Sequence, residues 1–249
     1  MKKLKKKKFG LLGKNISYSF SKKYFTDKFE KIGADHFSYK NFDVDTLDDF
    51  KKIVSKTKNL KGMNVTIPYK EAIIPHLSKL SKNAKIIGAV NTISISKKGI
   101  LKGYNTDFYG FKKSLKPLLK EHHHKALILG TGGASKAVAY ALRKLKMEYD
   151  FVSRNPSEYE FSYEELNQDV FKDYQIIINT TPIGTYPNVD ECPTLDYSLF
   201  TDQHIAYDLV YNPEETKFLR LAKERGATTK NGYDMLVFQA EKAWAIWNK

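Results

Sequence analysis

The 249-residue sequence has a single cysteine, Cys192, so no disulfide can form within the chain. It also lacks any run near the ~18 consecutive apolar residues that a membrane-spanning helix needs. Its lysine-rich start carries neither an apolar segment nor a small-residue cleavage site, and it is not typical of a signal peptide. Together these absences predict a cytoplasmic protein with no membrane partner.

Arginine is scarce, although the formal net charge is +14. Arginines stand at positions 143, 154, 220 and 225, and the other basic residues are lysines spread along the chain. Because proteins that read nucleic acid rely on forked guanidinium groups, the lysine excess indicates a solvated surface and no nucleic-acid partner. A basic nucleic-acid-binding protein is the alternative, which a salt-sensitive gel shift would support. The adjacent histidines at 122–124 cannot all face one metal ion, and we predict no metal site.

Predicted strands and helices alternate in both halves of the chain. Strand patterns occur at 8–13, 37–44, 62–68, 125–130, 149–154, 174–182 and 204–211, with a hairpin over 89–105. Helical spacing of apolar residues occurs at 18–32, 47–56, 70–80, 108–119, 134–145, 214–226 and 234–247. This order is typical of largely parallel sheets with helices on their faces. We therefore expect an α/β fold with two domains that join near residues 105–110 and face each other across a ligand-binding cleft.

A glycine-rich turn lies between the predicted strand 125–130 and the helix that follows it. Gly130, Gly132 and Gly133 stand where a dinucleotide-binding turn needs a tight backbone, a close approach to pyrophosphate and a helix N-terminus directed at the anion. Ser135 replaces the third glycine of the usual pattern, and no Gly-Lys-Ser/Thr follows, which excludes a P-loop. The turn predicts a dinucleotide cofactor; the alternative is a turn that only connects strand to helix.

The residues after the next strand indicate which dinucleotide binds. About 20 residues beyond the glycines, an NAD site offers Asp or Glu to the ribose, whereas an NADP site offers arginine to the 2′-phosphate. Arg154 stands here between Ser153 and Asn155, and no acidic residue occurs before Glu158. The sequence therefore predicts NADP as the cofactor.

The two halves of the chain thus have different expected roles. Residues 107–233 are predicted to form a Rossmann-like NADP-binding domain, and residues 1–106 with 234–249 a substrate-binding and catalytic domain with a mainly parallel sheet. Polar groups at strand ends, at turns and in the last helix are Ser19, Ser21, Lys70, Asn91, Asn105, Thr106, Asp107 and Gln239. These hydroxyls, amides, one amine and one carboxylate suit a polyhydroxylated, anionic small molecule.

Ordered sequence blocks make the chain resemble the shikimate dehydrogenase family over nearly its full length. The blocks are FGLLGKNISYSFS, GMNVTIPYKE, GAVNTI, GYNTDFYGF, LGTGGAS, NTTPIG, YDLVYNPEET and GYDMLVFQAEKAWAIW. Each block alone is weakly specific, whereas the set in this order is highly specific. The resemblance implies an NADP-dependent oxidoreductase that reversibly reduces 3-dehydroshikimate to shikimate in aromatic amino acid biosynthesis.

The resemblance also implies a role for each site residue. Lys70 and Asp107 would be the catalytic pair, with Lys70 protonating the oxygen that gains charge and Asp107 holding the ammonium group. The residues expected to bind the substrate, its carboxylate at the first two, are Ser19, Ser21, Thr66, Asn91, Tyr211 and Gln239. The residues expected to bind NADP are Gly130, Thr131, Gly132, Gly133, Ala134, Ser135, Ser153, Arg154 and Asn155, with Thr180, Gly232 and Met235 at the nicotinamide end.

Two positions depart from the family pattern, which usually has His before the first serine and Pro after the second. Tyr18 and Lys22 stand there in this chain. The serines that would bind the carboxylate are kept. Proline presets the geometry of a first helical turn. Without it, the sequence does not fix the residue at which the following helix begins.

Other interpretations stay open at this point. Asp107 is suited to cap a helix from residue 108, Ser19 and Ser21 to start a helix, and Gln239 to interrupt an apolar helix. The family includes quinate-accepting, NAD-using relatives, and a non-catalytic binding relative would keep the same fold. Monomer and homodimer are both compatible with the sequence, as are both resting protonation states of Lys70.

Overall fold

The computed structural model describes residues 6–17 and 19–248. The chain divides into two compact units, the first made of Met1–Thr106 and Ala240–Lys249 and the second of Asp107–Gln239. The second division falls inside the C-terminal helix, later than the boundary at residue 234 that the sequence suggests. The limits of the functional domains stay a prediction.

The first unit is built on a six-stranded sheet. Its strands are β1 (Lys7–Gly13), β2 (Phe37–Asp43), β3 (Leu60–Val65), β4 (Lys79–Leu80), β5 (Thr92–Ile95) and β6 (Leu101–Tyr104), in the order β2-β1-β3-β5-β6-β4. β1 is parallel to β2 and β3, whereas β5 is antiparallel to β3 and β6. The carboxyl ends of β1, β2 and β3 therefore share one edge of the sheet.

The helices of the first unit are short apart from the first of them. They are α1 (Phe20–Lys31), α2 (Phe50–Lys56), α3 (Tyr69–Ala72) and α4 (Lys82–Ile87), with 3₁₀ turns at Leu47–Asp49 and Ile74–His76. The predicted helix over 70–80 is wrong, since α3 ends at Ala72 and residues 79–80 form β4. Pro75 explains the break, because proline has no N–H and its ring collides with the carbonyl one turn back. The hairpin predicted over 89–105 is confirmed as β5 and β6.

Aromatic side chains of the C-terminal helix complete the core of the first unit. The rings of Trp244 and Trp247 pack against Phe9 of β1, with centroids 5.6 and 5.0 Å away. The Trp247 indole N–H donates to the Ile93 carbonyl at 2.9 Å. Gly62 permits this approach, because a Cβ there would lie 2.1 Å from Trp247 Nε1. The end of the chain is therefore tied to the sheet that its beginning forms.

The second unit contains another six-stranded sheet, in which each pairing is parallel. Its strands are β7 (Lys125–Leu129), β8 (Glu148–Val152), β9 (Glu160–Phe161), β10 (Ile176–Asn179), β11 (Ile205–Asp208) and β12 (Thr228–Lys230), in the order β12-β11-β10-β7-β8-β9. From β7 the chain adds strands first on one side and then on the other. The loops after β7 and β10 therefore diverge at a switch point, where α/β sheets bind ligands.

Helices cover both faces of this second sheet. They are α5 (Asp107–Leu115), α6 (Gly133–Lys144), α7 (Gln168–Asp173), α8 (Lys217–Lys223) and α9 (Tyr233–Trp247), with 3₁₀ turns at Lys116–Leu118 and Tyr197–Leu199. Ile176 and Ile178 of β10 enter one core cluster and Ile177 enters the other, all fully buried. A strand buried on both faces is expected of a parallel sheet. The two sheets with their covering helices confirm the predicted α/β class. Among the described residues, no helix is both long enough and apolar enough to cross a bilayer.

Candidate functional site

The two serines expected to bind a carboxylate lie at the start of α1. Ser19 is the N-cap residue, and its hydroxyl oxygen accepts a hydrogen bond from the Lys22 N–H at 3.3 Å. The preceding loop is held by Asp43 at the end of β2, whose carboxylate accepts from the N–H groups of Asn15 and Ile16 at 2.8 and 3.1 Å. Ser19 therefore starts a helix, while its hydroxyl hydrogen can still be donated.

Of the two positions that depart from the family pattern, the structure describes Lys22. Tyr18 lies outside the described residues, and nothing follows for it. The backbone N–H of Lys22 donates to the Ser19 hydroxyl oxygen. The proline usual at this position could not make this bond, because proline has no N–H. Ser21 lies half-buried in the first turn of α1, next to the capped serine.

Thr66 and Lys70 follow the carboxyl end of β3. Thr66 is half-buried, and its N–H donates to the Leu12 carbonyl of β1 at 2.9 Å. Lys70 is half-buried in α3, and its carbonyl accepts from the Val90 N–H at 2.7 Å. Gly13 makes room for this segment, since a Cβ there would lie 2.5 Å from Thr66 Cγ2. The β3 end thus brings a hydroxyl and an amine to the edge where β1 and β2 also end.

Asn91 lies at the centre of a buried polar cluster in the first unit. Its side-chain oxygen accepts from the Thr106 N–H at 2.7 Å, and its NH₂ group donates to Thr106 Oγ1 at 2.9 Å. Thr92 Oγ1 lies 3.2 Å from the Asn91 side-chain oxygen. Asn105 donates to the Ala89 carbonyl at 3.1 Å. All of these side chains are at most 4% exposed, so the amide of Asn91 has a fixed orientation.

The glycine turn of the second unit fits a pyrophosphate group. Gly130 has φ +96°, and a Cβ there would lie 2.8 Å from Thr181 Cγ2, so both conformation and space require glycine. Its N–H donates to the Val152 carbonyl at the end of β8, at 2.9 Å. Gly132 precedes α6 and faces open space, and no acidic residue lies in the first turn of that helix. The open turn and uncompensated helix N-terminus suit an anion.

The other predicted residues of the turn differ in exposure. Thr131 is exposed, whereas Gly133 and Ala134 open α6 and are half-buried. Ser135 is 1% exposed, and its hydroxyl donates to the Gly132 carbonyl at 2.5 Å. Thr180, after β10, donates its hydroxyl to the Leu129 carbonyl at 2.7 Å. The hydroxyls of Ser135 and Thr180 thus hold the shape of the turn.

The predicted ribose-phosphate residues follow the carboxyl end of β8. Ser153 is half-buried, and its hydroxyl oxygen accepts from the Asn155 N–H at 3.2 Å. Arg154 and Asn155 are exposed. Burial raises the pKa of the nearby Tyr163, and the positive charge of Arg154 acts in the opposite direction. This exposed guanidinium group is available to a phosphate dianion.

The remaining predicted residues of the second unit lie on α5 and α9 or after β11. α5 begins at Asp107 itself, so this buried carboxylate lies inside the first helical turn and not before it. Met235 and Gln239 of α9 are each 7% exposed, and Met235 belongs to the apolar core. Gly110 of α5 approaches α9 closely, since a Cβ there would lie 2.4 Å from the Met235 carbonyl oxygen. Gly232 is equally constrained, with the Leu209 carbonyl oxygen 2.1 Å from its Cβ position.

Tyr211 is half-buried after β11, and burial raises its pKa. A buried network that the sequence interpretation missed lies just before it. Asp208 is fully buried and accepts hydrogen bonds from Thr216 Oγ1 at 2.6 Å, from the Val210 N–H at 3.0 Å and from the Asn179 amide at 3.0 Å. Burial raises the pKa of Asp208 to about 7, although these three donors act to lower it. Only its place in YDLVYNP could have marked this residue.

Each unit thus gathers part of the predicted site. The first unit contains Ser19, Ser21, Thr66, Lys70 and Asn91, and the second contains Asp107, Tyr211, Gln239 and the expected cofactor residues. Contacts that span the two sets, including the expected pairing of Lys70 with Asp107, stay predictions. Within the described part of the chain, no three His, Cys, Asp or Glu side chains form a group able to hold a metal ion.

The comparisons with known proteins point to one family. A sequence family described as "Shikimate dehydrogenase substrate binding domain" matches residues 11–93. The shikimate dehydrogenase (NADP(+)) of Clostridium botulinum is 40% identical over 249 residues, which cover 96% of this chain and 95% of that protein.

Solved structures are similar over a comparable length. Shikimate 5-dehydrogenase from Thermus thermophilus, in complex with NADP(H) and shikimate, has a TM-score of 0.85 at 32% identity, covering 97% of this chain and 93% of that one. Quinate dehydrogenase from Corynebacterium glutamicum, in complex with NAD, has a TM-score of 0.87 at 26% identity, covering 98% and 94%. The likeness therefore extends through the residues of both units.

Proposed function

The chain belongs to the shikimate dehydrogenase family, and on that premise we propose that it catalyses the reversible, NADPH-dependent reduction of 3-dehydroshikimate to shikimate. The observation that carries this proposal is 40% identity over 96% of the chain to a relative named shikimate dehydrogenase (NADP(+)). The glycine turn before α6 supports it, as do the hydroxyl and amine groups that follow the carboxyl end of β3. The product, shikimate, is a precursor in aromatic amino acid biosynthesis.

Lys70 is proposed as the proton donor of the reductive direction. NADPH, when bound, supplies the hydride that the carbonyl carbon receives. The carbonyl oxygen then carries negative charge, and the Lys70 ammonium group stabilises this charge and transfers its proton there. In the oxidative direction the same nitrogen takes the proton back from the hydroxyl group. Asp107 is proposed to hold the ammonium group in place by charge attraction.

The substrate's other groups are assigned to the remaining polar side chains. The Ser19 hydroxyl is already an acceptor for Lys22, so its hydrogen is suited to a carboxylate oxygen. Ser21 is proposed as the second donor to the same carboxylate. The ring hydroxyls are proposed to bind Thr66, Asn91, Tyr211 and Gln239.

Arg154 is proposed to select NADP. Its exposed guanidinium group, after β8 and without an acidic neighbour before Glu158, favours the 2′-phosphate over a bare ribose hydroxyl. Quinate oxidation with NAD is the second candidate, because the NAD-bound quinate dehydrogenase shares the fold at a TM-score of 0.87.

The deciding experiment measures the near-ultraviolet absorbance of reduced nicotinamide for four combinations of substrate and cofactor. Shikimate with NADP should give the highest kcat/KM. Higher kcat/KM for quinate with NAD would replace the proposal with the second candidate. No turnover with any combination, in protein that binds NADP, would favour a non-catalytic relative.

We further propose a cytoplasmic enzyme that acts as a monomer or a homodimer on small molecules, without nucleic-acid or membrane partners. The single cysteine and the scattered lysines support this view. Sedimentation at micromolar concentration, with and without duplex DNA, tests the assembly state and the nucleic-acid alternative together.

A further inference from the structure

Tyr39 of β2 is a buried tyrosine that the proposed reaction does not use. It is 5% exposed, and its hydroxyl group donates to the Asn64 side-chain oxygen at 2.8 Å. Asn64 of β3 is 4% exposed, and its NH₂ group donates to the Asn91 carbonyl and to Thr92 Oγ1, each at 3.2 Å. A continuous chain of hydrogen bonds therefore links Tyr39 to Asn91.

The direction of this chain follows from its end at the Asn91 carbonyl. A carbonyl oxygen can only accept, and this one also accepts from the Val65 N–H at 2.9 Å. Asn64 must therefore turn its NH₂ group toward Asn91 and its oxygen toward Tyr39. The single hydroxyl hydrogen of Tyr39 must then point at Asn64. Each donor in the chain is directed inward.

The same chain fixes the amide of Asn91. Because Asn64 donates to Thr92 Oγ1, the Thr92 hydroxyl hydrogen is left for another acceptor, either the Asn91 side-chain oxygen at 3.2 Å or Thr106 Oγ1 at 3.3 Å. The Asn91 oxygen also accepts from the Thr106 N–H at 2.7 Å and lies 3.2 Å from the Thr106 hydroxyl group. With these donors around it, the oxygen is used within the protein. A ligand therefore meets the NH₂ side of the Asn91 amide.

We propose that Tyr39 is a positioning residue of the substrate site, which acts through Asn64 and Thr92 to hold the Asn91 amide in its donor orientation. The inference rests on the proposed role of Asn91 in binding a substrate hydroxyl group. It assigns Tyr39 no contact with substrate or cofactor.

Two further observations support this role. Burial raises the pKa of Tyr39 well above its ordinary value, so the hydroxyl group keeps its hydrogen and stays a donor. The neighbouring Ser21 side chain acts to lower that pKa. Tyr39 thus lies between a group proposed to bind the substrate carboxylate and the chain that reaches Asn91.

Removing the hydroxyl group should weaken the chain. In Tyr39→Phe the Asn64 oxygen loses its donor, and the amide cannot recover by turning over, because its oxygen would then face the Asn91 carbonyl. With one side of its amide released, Asn64 holds the Asn91 carbonyl and Thr92 Oγ1 less firmly. The ring of residue 39 keeps its stacking on Phe25, whose centroid is 4.7 Å away. The change therefore reaches the site through hydrogen bonds and not through lost packing.

The test is a double-mutant cycle on the dissociation constant of shikimate, measured calorimetrically with the whole chain. Tyr39→Phe should raise this constant about 3- to 10-fold, the worth of one net hydrogen bond. It should leave kcat and the dissociation constant of NADP nearly unchanged. In an Asn91→Ala background the same substitution should change shikimate binding by less than about twofold. Tyr24→Phe, which removes another half-buried hydroxyl of the first unit, is the matched control and should change neither constant.

Two results would overturn the inference: an unchanged shikimate constant in Tyr39→Phe, or an equal rise in the Asn91→Ala background. NADP binding stoichiometry counts the folded molecules in each preparation. If Tyr39→Phe does not fold, Thr92→Val interrupts the same chain one step nearer to Asn91 and decides by the same criteria. Failure of the wild-type chain to bind or oxidise shikimate would reject the proposed function, and this inference with it. The wild-type chain could turn over normally and Asn91→Ala could bind shikimate more weakly, while Tyr39→Phe binds it as wild type does. That combination would reject the role of Tyr39 alone.

Discussion

Asp208 should make the stability of the second unit fall as pH rises from acid to neutral. Burial raises the pKa of this carboxyl from 3.8 to about 7 in the folded protein. Between these values the unfolded chain has released the proton and the folded chain still holds it. Because the folded state then binds more protons, the free energy of unfolding decreases by roughly 1.36 kcal/mol for each pH unit. Below the unfolded pKa the carboxyl has no such effect, and above about 7 the loss is complete.

The size of this effect follows from the interval between the two pKa values. The rise from 3.8 to about 7 corresponds to about 4 kcal/mol of unfolding free energy. Asp208→Asn removes the titration, while the side-chain oxygen can still accept from Val210 and the NH₂ group can donate to Thr216 Oγ1. We therefore expect wild type and variant to be similar near pH 4, and the variant to be more stable by up to about 4 kcal/mol near pH 8.

Urea unfolding followed by far-ultraviolet circular dichroism, at steps across this pH range, measures the difference. Asp190→Asn, an exposed position of the same unit, is the control and should give a curve parallel to wild type. If Asp208→Asn also runs parallel to wild type at all pH values, the buried carboxyl ionises at the same pH in folded and unfolded chains. The reasoning from burial would then be refuted.

Four further predictions concern catalysis, the cofactor and the stability of the glycine turn. Lys70→Ala should lower kcat by roughly 10²–10⁴, the usual contribution of a general acid or base, with NADP binding unchanged in a fluorescence titration. Arg154→Ala should raise the KM for NADP by about 10- to 100-fold and leave that for NAD nearly unchanged, because a charged hydrogen bond to the 2′-phosphate is lost. Gly130→Ala should cost about 1–3 kcal/mol of stability, since it combines φ +96° with a 2.8 Å approach to Thr181 Cγ2. Gly132→Ala, whose Cβ meets no atom within 4 Å, should keep the melting temperature and weaken NADP binding.

The following results would contradict the predictions for Lys70, Arg154 and Gly132. Lys79→Ala, at an exposed position, should keep full turnover, and near-normal turnover of Lys70→Ala would remove Lys70 from the mechanism. Equal KM changes for NADP and NAD in Arg154→Ala would mean that the guanidinium group does not read the 2′-phosphate. Unaltered NADP binding by Gly132→Ala would show that the pyrophosphate does not approach this turn.

Periodicity predicted the strongly patterned elements because their apolar residues report burial directly. β10 is an example, with Ile176, Ile177 and Ile178 alternating between two core clusters. The pattern failed where a single residue outweighed it, as Pro75 did in the predicted helix over 70–80. It also missed the short edge strands β9 and β12, which carry too few residues for an alternation to be recognised.

Motifs indicated candidate site residues but not the hydrogen-bond network around them. Tyr39 lies in FSYKNFD, where its alternation is typical of any half-buried strand, and only the fold shows that its hydroxyl meets Asn64. Asp43 is equally unmarked, although it holds the loop before Ser19 through the N–H groups of Asn15 and Ile16. Such contacts join residues far apart in sequence, and their geometry depends on strand register.

The hydroxyl groups of the predicted site fall into two kinds, and the distinction changes what substitutions there would mean. Ser135 and Thr180 donate to the carbonyls of Gly132 and Leu129, so their hydrogens are used inside the protein. Ser19 instead accepts from a backbone N–H and keeps its hydrogen for an outside partner. Alanine at the first two positions would therefore alter the shape of the glycine turn, whereas alanine at Ser19 would remove both the cap of α1 and the proposed donor to the substrate. All three hydroxyl groups hold local structure, and the direction of the hydrogen bond decides which of them can also donate to a ligand.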